Sequence, residues 1–571
     1  MYLKKSRQKN GRLYLSIAEG YYDRETKKTK TVNVKTLGYL DILEKQYPDP
    51  ISHFEEEVRK MNELKSSEKA PVTIHISLNE NLNSDTDTRK NFGYAALSKI
   101  YHELNIHTFL NNRQRHSKED YNANAIMKLL VFSRLLYPAS KKKTFEKRNK
   151  FFEKADFSLD DVYRCLSFLN KRKDELLLWI HKNIQDQYGR DTSLVYYDVT
   201  NYYFEVDEQD EMRRKGVSKE HRPDPIIQMG LFMDNHGIPI TYGLYPGNTL
   251  DKETLIPMLR KIQRDYSLGR IIVVADKGII TGDNIYYTLS AKNGYVFSYS
   301  IRGADAAFKK YVLDEDGYIE KEDGFKIKSR LDPRKISITT KSGKKKKVTV
   351  DEKQVVFFSK KHAAKAKAER AMAVLKARDL VKNPHKYTRA TAKGAAKYVN
   401  NITFDPKTGE ILEDAKKSLF FDEEKLRQEE ELDGYYALVT SEYRASDERI
   451  VEIYRGLWKI EESFKITKSD LESRPVYLST KVHIEAHFLT CFVALVVARL
   501  LEYNMKKKYP VSAMLESLGK ASCSHIEQNY YLFNYYDEIL ADIGTKLGID
   551  FSKKYMCLAE IKKILGAVKK S

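Results

Sequence analysis

The stretch from Ser193 to Phe204 constrains the fold of this chain most, because it is apolar and aromatic apart from one carboxylate, Asp198. Its sequence, SLVYYDVTNYYF, is rich in residues that favour a pleated, half-buried backbone and predicts a core β-strand. Side-chain alternation places Asp198 on the same face as Tyr196 and Thr200. Because an unpaired buried charge is costly, Asp198 must be hydrogen-bonded, ion-paired, protonated or coordinated to a metal. A metal ligand is the hypothesis that we pursue, and a strand residue that accepts ordinary hydrogen bonds is its main alternative.

The charge of the chain points to a polyanionic partner. Its 571 residues include 100 Lys and Arg against 80 Asp and Glu, a formal net charge of +20. Such an excess is typical of proteins that bind DNA or RNA, whereas a merely soluble, charge-rich protein is the alternative. The four cysteines, Cys165, Cys491, Cys523 and Cys557, form no CxxC pair, which argues against structural zinc and for a reducing cytosol.

We expect no membrane segment. The N-terminal residues MYLKKSRQKN are basic but lack the apolar core of a signal peptide. In the apolar run of residues 483–505, only about a dozen uninterrupted apolar residues lie between His487 and Arg499, and about twenty are needed to span a bilayer. The run therefore predicts a buried core helix, and we expect the protein in the cytoplasm.

Residues 191–301 predict the order strand, strand, strand, helix, strand, helix, strand, which is an α/β fold with a mixed sheet. The run RIIVVAD, which ends in Asp276, is continuously apolar, as a strand covered on both faces requires. Changes in composition and periodicity predict six regions: a small basic region with a hairpin (1–85), a helical DNA-binding domain (86–190), a first part of the core (191–301), a basic β-rich insertion domain (302–433), a second part of the core (434–510) and a C-terminal helical region (511–571).

Two basic loops are candidates for contacts with phosphate groups. The run Lys344, Lys345, Lys346 and Lys347 follows a Ser-Gly pair where the tip of a hairpin is predicted. It is either an exposed loop or a phosphate clamp, and we favour the clamp. Arg222 lies in a basic loop between the first two strands of the core, and it is either a phosphate contact or an ordinary loop residue.

Three carboxylates in different elements predict a metal site. Asp198 lies within the first strand of the core, Asp276 at the end of the fourth, and Glu461 on a helix after the insertion. Two carboxylates on neighbouring strands and a third from a helix across the sheet form an all-oxygen pocket suited to Mg²⁺ or Mn²⁺. Two such ions can activate an attacking hydroxyl or water and stabilise the leaving oxygen of a phosphodiester displacement.

The helix around Glu461 carries further candidates. Tyr454, Glu461 and Lys468 are seven residues apart, so on one α-helix they drift by only about 20° per step and share a face. Trp458 and Lys465 flank this face. The lysines would hold phosphate oxygens, and the aromatic residues could stack or hydrogen-bond at the cleavage point. The alternative is a surface helix with Glu–Lys pairs and a core Trp.

With these motifs the chain resembles the DDE transposases of bacterial insertion sequences. In one branch of that family the signature is Tyr, two residues, Arg, three residues, Glu, six residues, Lys. The run YRGLWKIEESFKITK supplies Tyr454, Glu461 and Lys468 at this spacing, while the Arg position holds Leu457. YYDVTNYYFE, GIPITYGLYPGNTLD and VVADKGIIT also resemble this family, and the resemblance covers most of residues 90–510.

The resemblance implies a ribonuclease H-like core that the β-rich insertion domain interrupts. It implies that Asp198, Asp276 and Glu461 hold two Mg²⁺ or Mn²⁺ ions and that Tyr454 and Lys468 contact DNA near the scissile phosphate. The implied partners are double-stranded DNA, as inverted-repeat ends and as target, and a second copy of the chain in a synaptic complex. Cleavage through a hairpin on the transposon end is expected, with Trp458 stacking on a flipped base.

Two other functions stay open at this point. A ribonuclease H-like nuclease would cut DNA without joining strands, and a transposase-derived protein would bind DNA without cutting it. The three carboxylates argue against the second, because metal ligands have no evident role in a protein that only binds. Leu457 is the one residue that favours it.

Overall fold

The computed structural model describes residues 1–8, 11–23, 28–67, 81, 87–220, 223–389, 391–405, 409–527 and 529–570. The chain divides into two compact units, Met1–Ser84 and Asp85–Ser571. The first unit is a three-stranded antiparallel sheet followed by two helices: β1 (Tyr2–Arg7), β2 (Leu13–Asp23), β3 (Lys28–Tyr39), α1 (Leu40–Leu43) and α2 (Pro50–Ser67). β2 and β3 form the predicted hairpin, and Leu15, Leu43 and Phe54 form a small core.

The second unit begins with a helical region, as the spacing of apolar residues predicts. Its elements are β4 (Arg89–Asn91), α3 (Tyr94–Glu103), α4 (Ile106–Arg115), α5 (Ala123–Leu136), α6 (Lys141–Glu146), α7 (Leu159–Lys171) and α8 (Lys173–Tyr188). The start of α5 is fixed by Asn122, whose side chain accepts a hydrogen bond from the N–H of Ala125 at 2.8 Å. α7 begins with a capping box between Ser158 and Asp161.

A nine-stranded mixed sheet forms the centre of the second unit. Its first elements follow the predicted order: β5 (Leu194–Tyr203), β6 (Ile226–Met233), β7 (Pro239–Pro246), α9 (Asp251–Asp265), β8 (Ile272–Ala275), α10 (Gly282–Ser290) and β9 (Gly294–Tyr299). These strands lie side by side as β7-β6-β5-β8-β9; β6 is antiparallel to β5 and β7, and β8 is parallel to β5 and β9. This is the topology of a ribonuclease H-like core, and the predicted fold class is confirmed.

The insertion after β9 adds strands to the same sheet. Its elements are α11 (Ala306–Leu313), β10 (Ile319–Glu320), β11 (Lys326–Leu331), β12 (Arg334–Thr339), β13 (Lys345–Val350), β14 (Lys353–Phe358), α12 (Lys360–Lys382), β15 (Val399–Asn400), α13 (Glu413–Lys416), β16 (Phe420–Phe421) and α14 (Glu423–Glu431), and β17 (Tyr435–Thr440) follows it. The sheet continues beyond β9 in the order β17, β14, β11, β10, which pairs backbone groups that the β9 edge would otherwise expose. The boundaries of the six regions stay a prediction.

The last part of the chain is mostly helical. It contains α15 (Asp447–Arg455), α16 (Trp458–Lys465), a π-helical turn (Ile466–Asp470), α17 (Lys481–Asn504), α18 (Val511–Lys520), β18 (Ser522–His525), β19 (Tyr530–Phe533), α19 (Glu538–Leu547), β20 (Tyr555–Cys557) and α20 (Leu558–Ala567). Residues 511–571, for which the sequence predicts helices, thus also contain three strands. These strands form a small sheet with β4, in the order β20-β19-β18-β4. Because β4 is more than 400 residues away in the sequence, no local sequence pattern predicts this pairing.

Among the described residues, α17 is the one helix that is long and apolar enough to cross a membrane by length and composition alone. In the structure, 94% of its most apolar 18-residue segment is buried inside the protein. This burial confirms the prediction of a core helix. α17 contributes to the hydrophobic core on one face of the central sheet.

The central sheet has a hydrophobic core on each face. Tyr196 and Val274 belong to the core that includes residues of α15, α16 and α17. Val195 and Val273, their neighbours in sequence, belong to the opposite core, which includes residues of α9 and α10. Because alternate residues of a strand face opposite sides of the sheet, positions two residues beyond Tyr196 and Val274 face the α15–α17 side.

Candidate active site

Asp198 lies in β5, and Asp276 directly follows the neighbouring parallel strand β8. Tyr196 of β5 stands opposite Val274 of β8, and Asp198 and Asp276 each follow two residues later. Neighbouring strands are about 4.8 Å apart, and equivalent positions on them point to the same face. The pairing of β5 with β8 therefore brings the first two predicted carboxylates together on the face covered by α15, α16 and α17.

Two hydroxyl groups hold Asp276. The Ser298 hydroxyl on β9 donates a hydrogen bond of 2.6 Å to Asp276 Oδ1, and the Tyr454 hydroxyl on α15 donates one of 3.1 Å to the same oxygen. Burial raises the pKa of Tyr454, and the negative charges of Asp276 and Glu461 raise it further. The Tyr454 hydroxyl therefore remains a donor. Asp276 and Tyr454 line a cleft of about 190 Å³, which His362 of α12 also lines.

Asp198 is half-buried and its negative charge is poorly compensated. The backbone N–H of Val199 donates a hydrogen bond of 2.7 Å to its Oδ1. Burial raises the pKa of Asp198 to about 6; the Lys219 charge opposes this increase, and the charges of Asp251 and Asp276 add to it. A divalent cation would therefore stabilise the charged form of Asp198.

We expect Asp198→Asn to stabilise the metal-free protein at about pH 8 by roughly 1–3 kcal/mol and to change little at about pH 4. Folding raises the pKa of Asp198 from 3.8 to about 6, so stability from this group falls as the pH rises between these values. Urea denaturation in the presence of a chelator measures the difference. Equal destabilisation at both pH values would identify Asp198 as an ordinary hydrogen-bonded strand residue.

Glu461 lies on a different helix from Tyr454. α15 and α16 are separated by two turn residues, Gly456 and Leu457, and the N–H of Leu457 bonds to the Tyr454 carbonyl oxygen at 3.0 Å, three residues back. A Cβ at Gly456 would lie 2.0 Å from the hydroxyl oxygen of Tyr196, so a glycine allows this turn to approach β5. The prediction of one continuous α-helix through Tyr454 and Glu461 is therefore wrong.

A buried arginine on α17 holds α16 in place. Arg499 donates hydrogen bonds of 2.7 and 2.9 Å to the Ser463 hydroxyl and one of 2.9 Å to the carbonyl oxygen of Lys459. It also forms ion pairs with Glu462 at 2.8 Å and with Glu502 at 2.7 Å. These contacts fix the helix that carries the third predicted carboxylate against the hydrophobic core.

Lys468 lies in the same region as Asp198. Its Nζ is 3.0 Å from a carboxylate oxygen of Glu220. Burial lowers the pKa of Lys468 to about 8, the charge of Lys219 lowers it further, and the charge of Asp198 opposes this decrease. Lys219 is in turn 3.9 Å from Asp251. Acidic and basic side chains therefore alternate around Asp198.

The sequence placed Lys219 in a basic loop near the active site without a definite role, and it did not identify Glu220 and Asp251 as neighbours of this site. Asp251 is the first residue of α9, a position where acidic residues are common because of the helix dipole. Lys219 and Glu220 lie in a polar loop. Neither setting specifies the contacts that these residues make, and only the folded chain brings them to Asp198.

Trp458 and Lys465 lie at the surface of α16. Trp458 is 51% exposed, and the Nζ of Lys507 is 5.9 Å from the centre of its ring. Lys465 is exposed as well. Leu457, at the position where the family signature has Arg, is buried in the core on the α15–α17 side. The position that departs from the signature is therefore part of the packing of the turn.

The four lysines of the insertion lie on a hairpin formed by β12 and β13. Lys344 directly precedes β13, and the first three residues of β13 are Lys345, Lys346 and Lys347. All four are exposed. Arg222 lies outside the described residues.

The donor set fits a hard divalent cation. Asp198, Asp276 and Glu461 offer oxygen ligands only, which Mg²⁺ and Mn²⁺ prefer. Within the ranges that the structure describes, no group of three or more His, Cys, Asp or Glu side chains is placed to hold a metal ion. Glu461 is exposed on α16, and its negative charge acts on the Tyr454 hydroxyl, which donates a hydrogen bond to Asp276.

Comparison with solved structures finds transposases at low similarity. A piggyBac transposase synaptic complex with hairpin DNA is 7% identical with a TM-score of 0.37, and the match covers 83% of this chain and 85% of that one. A Mos1 transposase paired-end complex with the left transposon end is 15% identical with a TM-score of 0.14, over 33% of this chain and 60% of that one. TM-scores this low do not establish a shared fold or function. No curated protein sequence matches the chain.

Two sequence families match the chain. The transposase DDE domain matches residues 204–497, which is just over half of the chain, and the N-terminal domain of IS1634 family transposases matches residues 3–72. The first match begins shortly after Asp198 and contains Asp276, Tyr454 and Glu461. The chain therefore belongs to the DDE transposases, a family of enzymes that generally use divalent metal ions to cut and join DNA.

Proposed function

We propose that this transposase binds the terminal inverted repeats of an insertion sequence and moves the element by cut-and-paste transposition, with Asp198, Asp276 and Glu461 as metal ligands. The observation that carries the proposal is the pairing of β5 with β8, which brings Asp198 and Asp276 together on the face where α16 packs. Two Mg²⁺ or Mn²⁺ ions, when bound, would activate the attacking hydroxyl and stabilise the leaving oxygen. Glu461 completes the ligand set from α16.

The residues around the carboxylates orient them and bind DNA. Ser298 and Tyr454 both donate to Oδ1 of Asp276, so Oδ2 is the natural ligand atom. Lys468 can exchange the carboxylate of Glu220 for a phosphate oxygen near the cleavage point. Trp458, which is exposed, can stack on a base that leaves the double helix during hairpin formation.

The proposed partners are double-stranded DNA, as inverted-repeat ends and as target, and a second copy of the chain in a synaptic complex. The net charge of +20 supports contact with a polyanion. Lys465 and the run from Lys344 to Lys347 are exposed and can follow the DNA backbone, and Arg222 is assigned to the DNA from the sequence alone. We place the protein in the bacterial cytoplasm, associated with the nucleoid.

Linear duplex DNA that carries the ends of the element tests this function. With Mg²⁺ the protein is expected to cut at these ends and to join pre-cut ends with free 3′ hydroxyl groups to a second duplex. A chelator is expected to stop both reactions, and a duplex with scrambled ends is the control. Cutting without joining would identify a nuclease of the same fold, and binding without either reaction would identify a DNA-binding protein.

A further inference from the structure

A basic cleft of about 690 Å³ lies between the α5–α6 turn and residues 472–478, which follow the π-helical turn. One carboxylate, Glu472, lines it, and its side chain is exposed. Six cationic side chains line the same cleft: Arg134, Lys141, Lys142, Lys143, Lys147 and Arg474. This imbalance of charge makes the cleft a candidate site for an anion.

The two most buried cations of the cleft are held by neutral groups. Lys141, which is 6% exposed, places its Nζ 3.2 Å from Nδ1 of His487. Burial lowers the pKa of His487 well below its usual value, and the charges of Lys141 and Arg134 lower it further. The imidazole is therefore neutral and accepts this hydrogen bond, while its Nε2 donates to the Ser473 carbonyl oxygen at 3.3 Å.

Arg134 is also 6% exposed. It donates hydrogen bonds to the carbonyl oxygens of Leu471, Glu472 and Ala139 at 3.0–3.2 Å. In the described part of the chain, neither Arg134 nor Lys141 has a carboxylate as its hydrogen-bond partner. Burial lowers the pKa of Lys141 to about 7, and the charge of Arg134 lowers it further. A buried cation without a counter-ion costs free energy, and a bound anion would favour the charged form of Lys141 and offset that cost.

The mouth of the cleft and its position indicate which anion fits. Lys142, Lys143 and Lys147 are exposed at the mouth. On the side of the active site, Arg474 forms an ion pair with Glu220, and Glu220 also pairs with Lys468. Lys468, on which the charge of Asp198 acts, is therefore linked to the cleft through Glu220 and Arg474, so the cleft adjoins the proposed catalytic carboxylates.

We propose that this cleft binds backbone phosphates of the DNA next to the cleavage point, with Lys141 and Arg134 at its floor and Lys142, Lys143 and Lys147 at its mouth. The proposal rests on the proposed function, because it takes DNA as the substrate. The phosphates belong either to the transposon end or to the target duplex. The cleft would hold the strand that extends from the active site and so fix its path.

The double variant Lys142→Ala/Lys143→Ala of the full chain tests whether the lysines at the mouth of the cleft bind DNA. We expect binding to end-containing duplex to weaken roughly tenfold, and the slope of log affinity against log salt concentration to fall by about 2, close to one for each phosphate that the variant no longer neutralises. The matched control is Lys562→Ala/Lys563→Ala, which removes the same charges from the exposed face of α20. It is expected to keep both the affinity and the slope.

Lys141→Met tests whether the buried lysine at the floor of the cleft contributes to DNA binding. It removes a buried cation and keeps an unbranched side chain, so the melting temperature is expected to stay the same or rise, while binding weakens roughly fivefold. A lower melting temperature with unchanged DNA binding would give Lys141 a structural role and overturn the proposal. Unchanged affinity and slope in Lys142→Ala/Lys143→Ala, together with unchanged joining to an unrelated duplex, would overturn it as well.

Two measurements on Lys142→Ala/Lys143→Ala distinguish phosphates of the transposon end from phosphates of the target duplex. A third result tests the proposed function itself. Weaker binding confined to end-containing duplex assigns the cleft to the transposon end, and weaker joining to an unrelated duplex assigns it to the target; either result supports the site. If the unaltered protein and the Lys562→Ala/Lys563→Ala control bind no DNA, the proposed function is overturned together with this site.

Discussion

Asp198→Asn, Asp276→Asn and Glu461→Gln are each expected to slow Mg²⁺-dependent cleavage of an end-containing duplex by roughly a thousandfold or more. Each change keeps the size of the side chain and removes a negatively charged oxygen ligand. A loss of several kcal/mol of transition-state stabilisation corresponds to about three powers of ten in rate. Binding of the ends in a gel shift is expected to remain, because phosphate contacts from basic residues dominate it. Cleavage rates at saturating DNA provide the measurement.

Two exposed acidic residues provide matched controls. Asp160→Asn on α7 and Glu516→Gln on α18 remove the same groups from the surface, and both variants are expected to cut like the unaltered protein. A variant of Asp198, Asp276 or Glu461 that keeps its cleavage rate would remove that residue from the proposed metal site. Glu461 is the most demanding case, because its side chain is exposed on α16.

Arg499→Ala is expected to destabilise the second unit by about 3–5 kcal/mol, because it leaves the buried Glu502 without its partner and removes the bonds to Ser463 and Lys459. Urea denaturation followed by tryptophan fluorescence measures the effect. Of the two tryptophans of the chain, Trp458 lies on α16 itself. The same variant is expected to cut DNA more slowly, since α16 carries Glu461.

Arg449→Ala is the matched control for this prediction. Arg449 pairs with Glu452 at i,i+3, as Arg499 does with Glu502, but both members of the Arg449 pair are exposed. Such surface pairs contribute roughly 0–1 kcal/mol. Equal effects of the two substitutions would show that the Arg499 network does not hold α16. The double variant Arg499→Met/Glu502→Met is expected to recover much of the stability, because it leaves no buried unpaired charge.

The order of the core elements follows from local sequence patterns. The alternation around Asp198 and the apolar run before Asp276 each specify a strand, because hydrophobic residues must face a core and the period of a strand is two. The helix between them and the ribonuclease H-like order are confirmed by the structure. The three strands within residues 511–571 were beyond reach, because β18 pairs with β4 from the other end of the unit.

The candidate site, like the fold, could be predicted from the sequence only in part. Sequence patterns selected Asp198, Asp276 and Glu461 as the carboxylates of interest, although their role as ligands stays a proposal. They could not supply the register of β5 on β8, which depends on hydrogen bonds between strands separated by more than sixty residues. Nor could they supply the break between α15 and α16, where Gly456 lies so close to the Tyr196 hydroxyl that a Cβ would collide with it.

By itself, the sequence determined the fold class, the family and the side chains with the chemistry for phosphodiester transfer, since composition, periodicity and motif spacing are properties of short segments. The tertiary structure decided which of these groups meet. It set Tyr196 opposite Val274, two residues before Asp198 and Asp276, placed Glu461 on a separate helix held by Arg499, and linked Lys468 through Glu220 to the basic cleft. The physical reason is that strand register, helix packing and burial depend on contacts between distant segments, and no single segment encodes them.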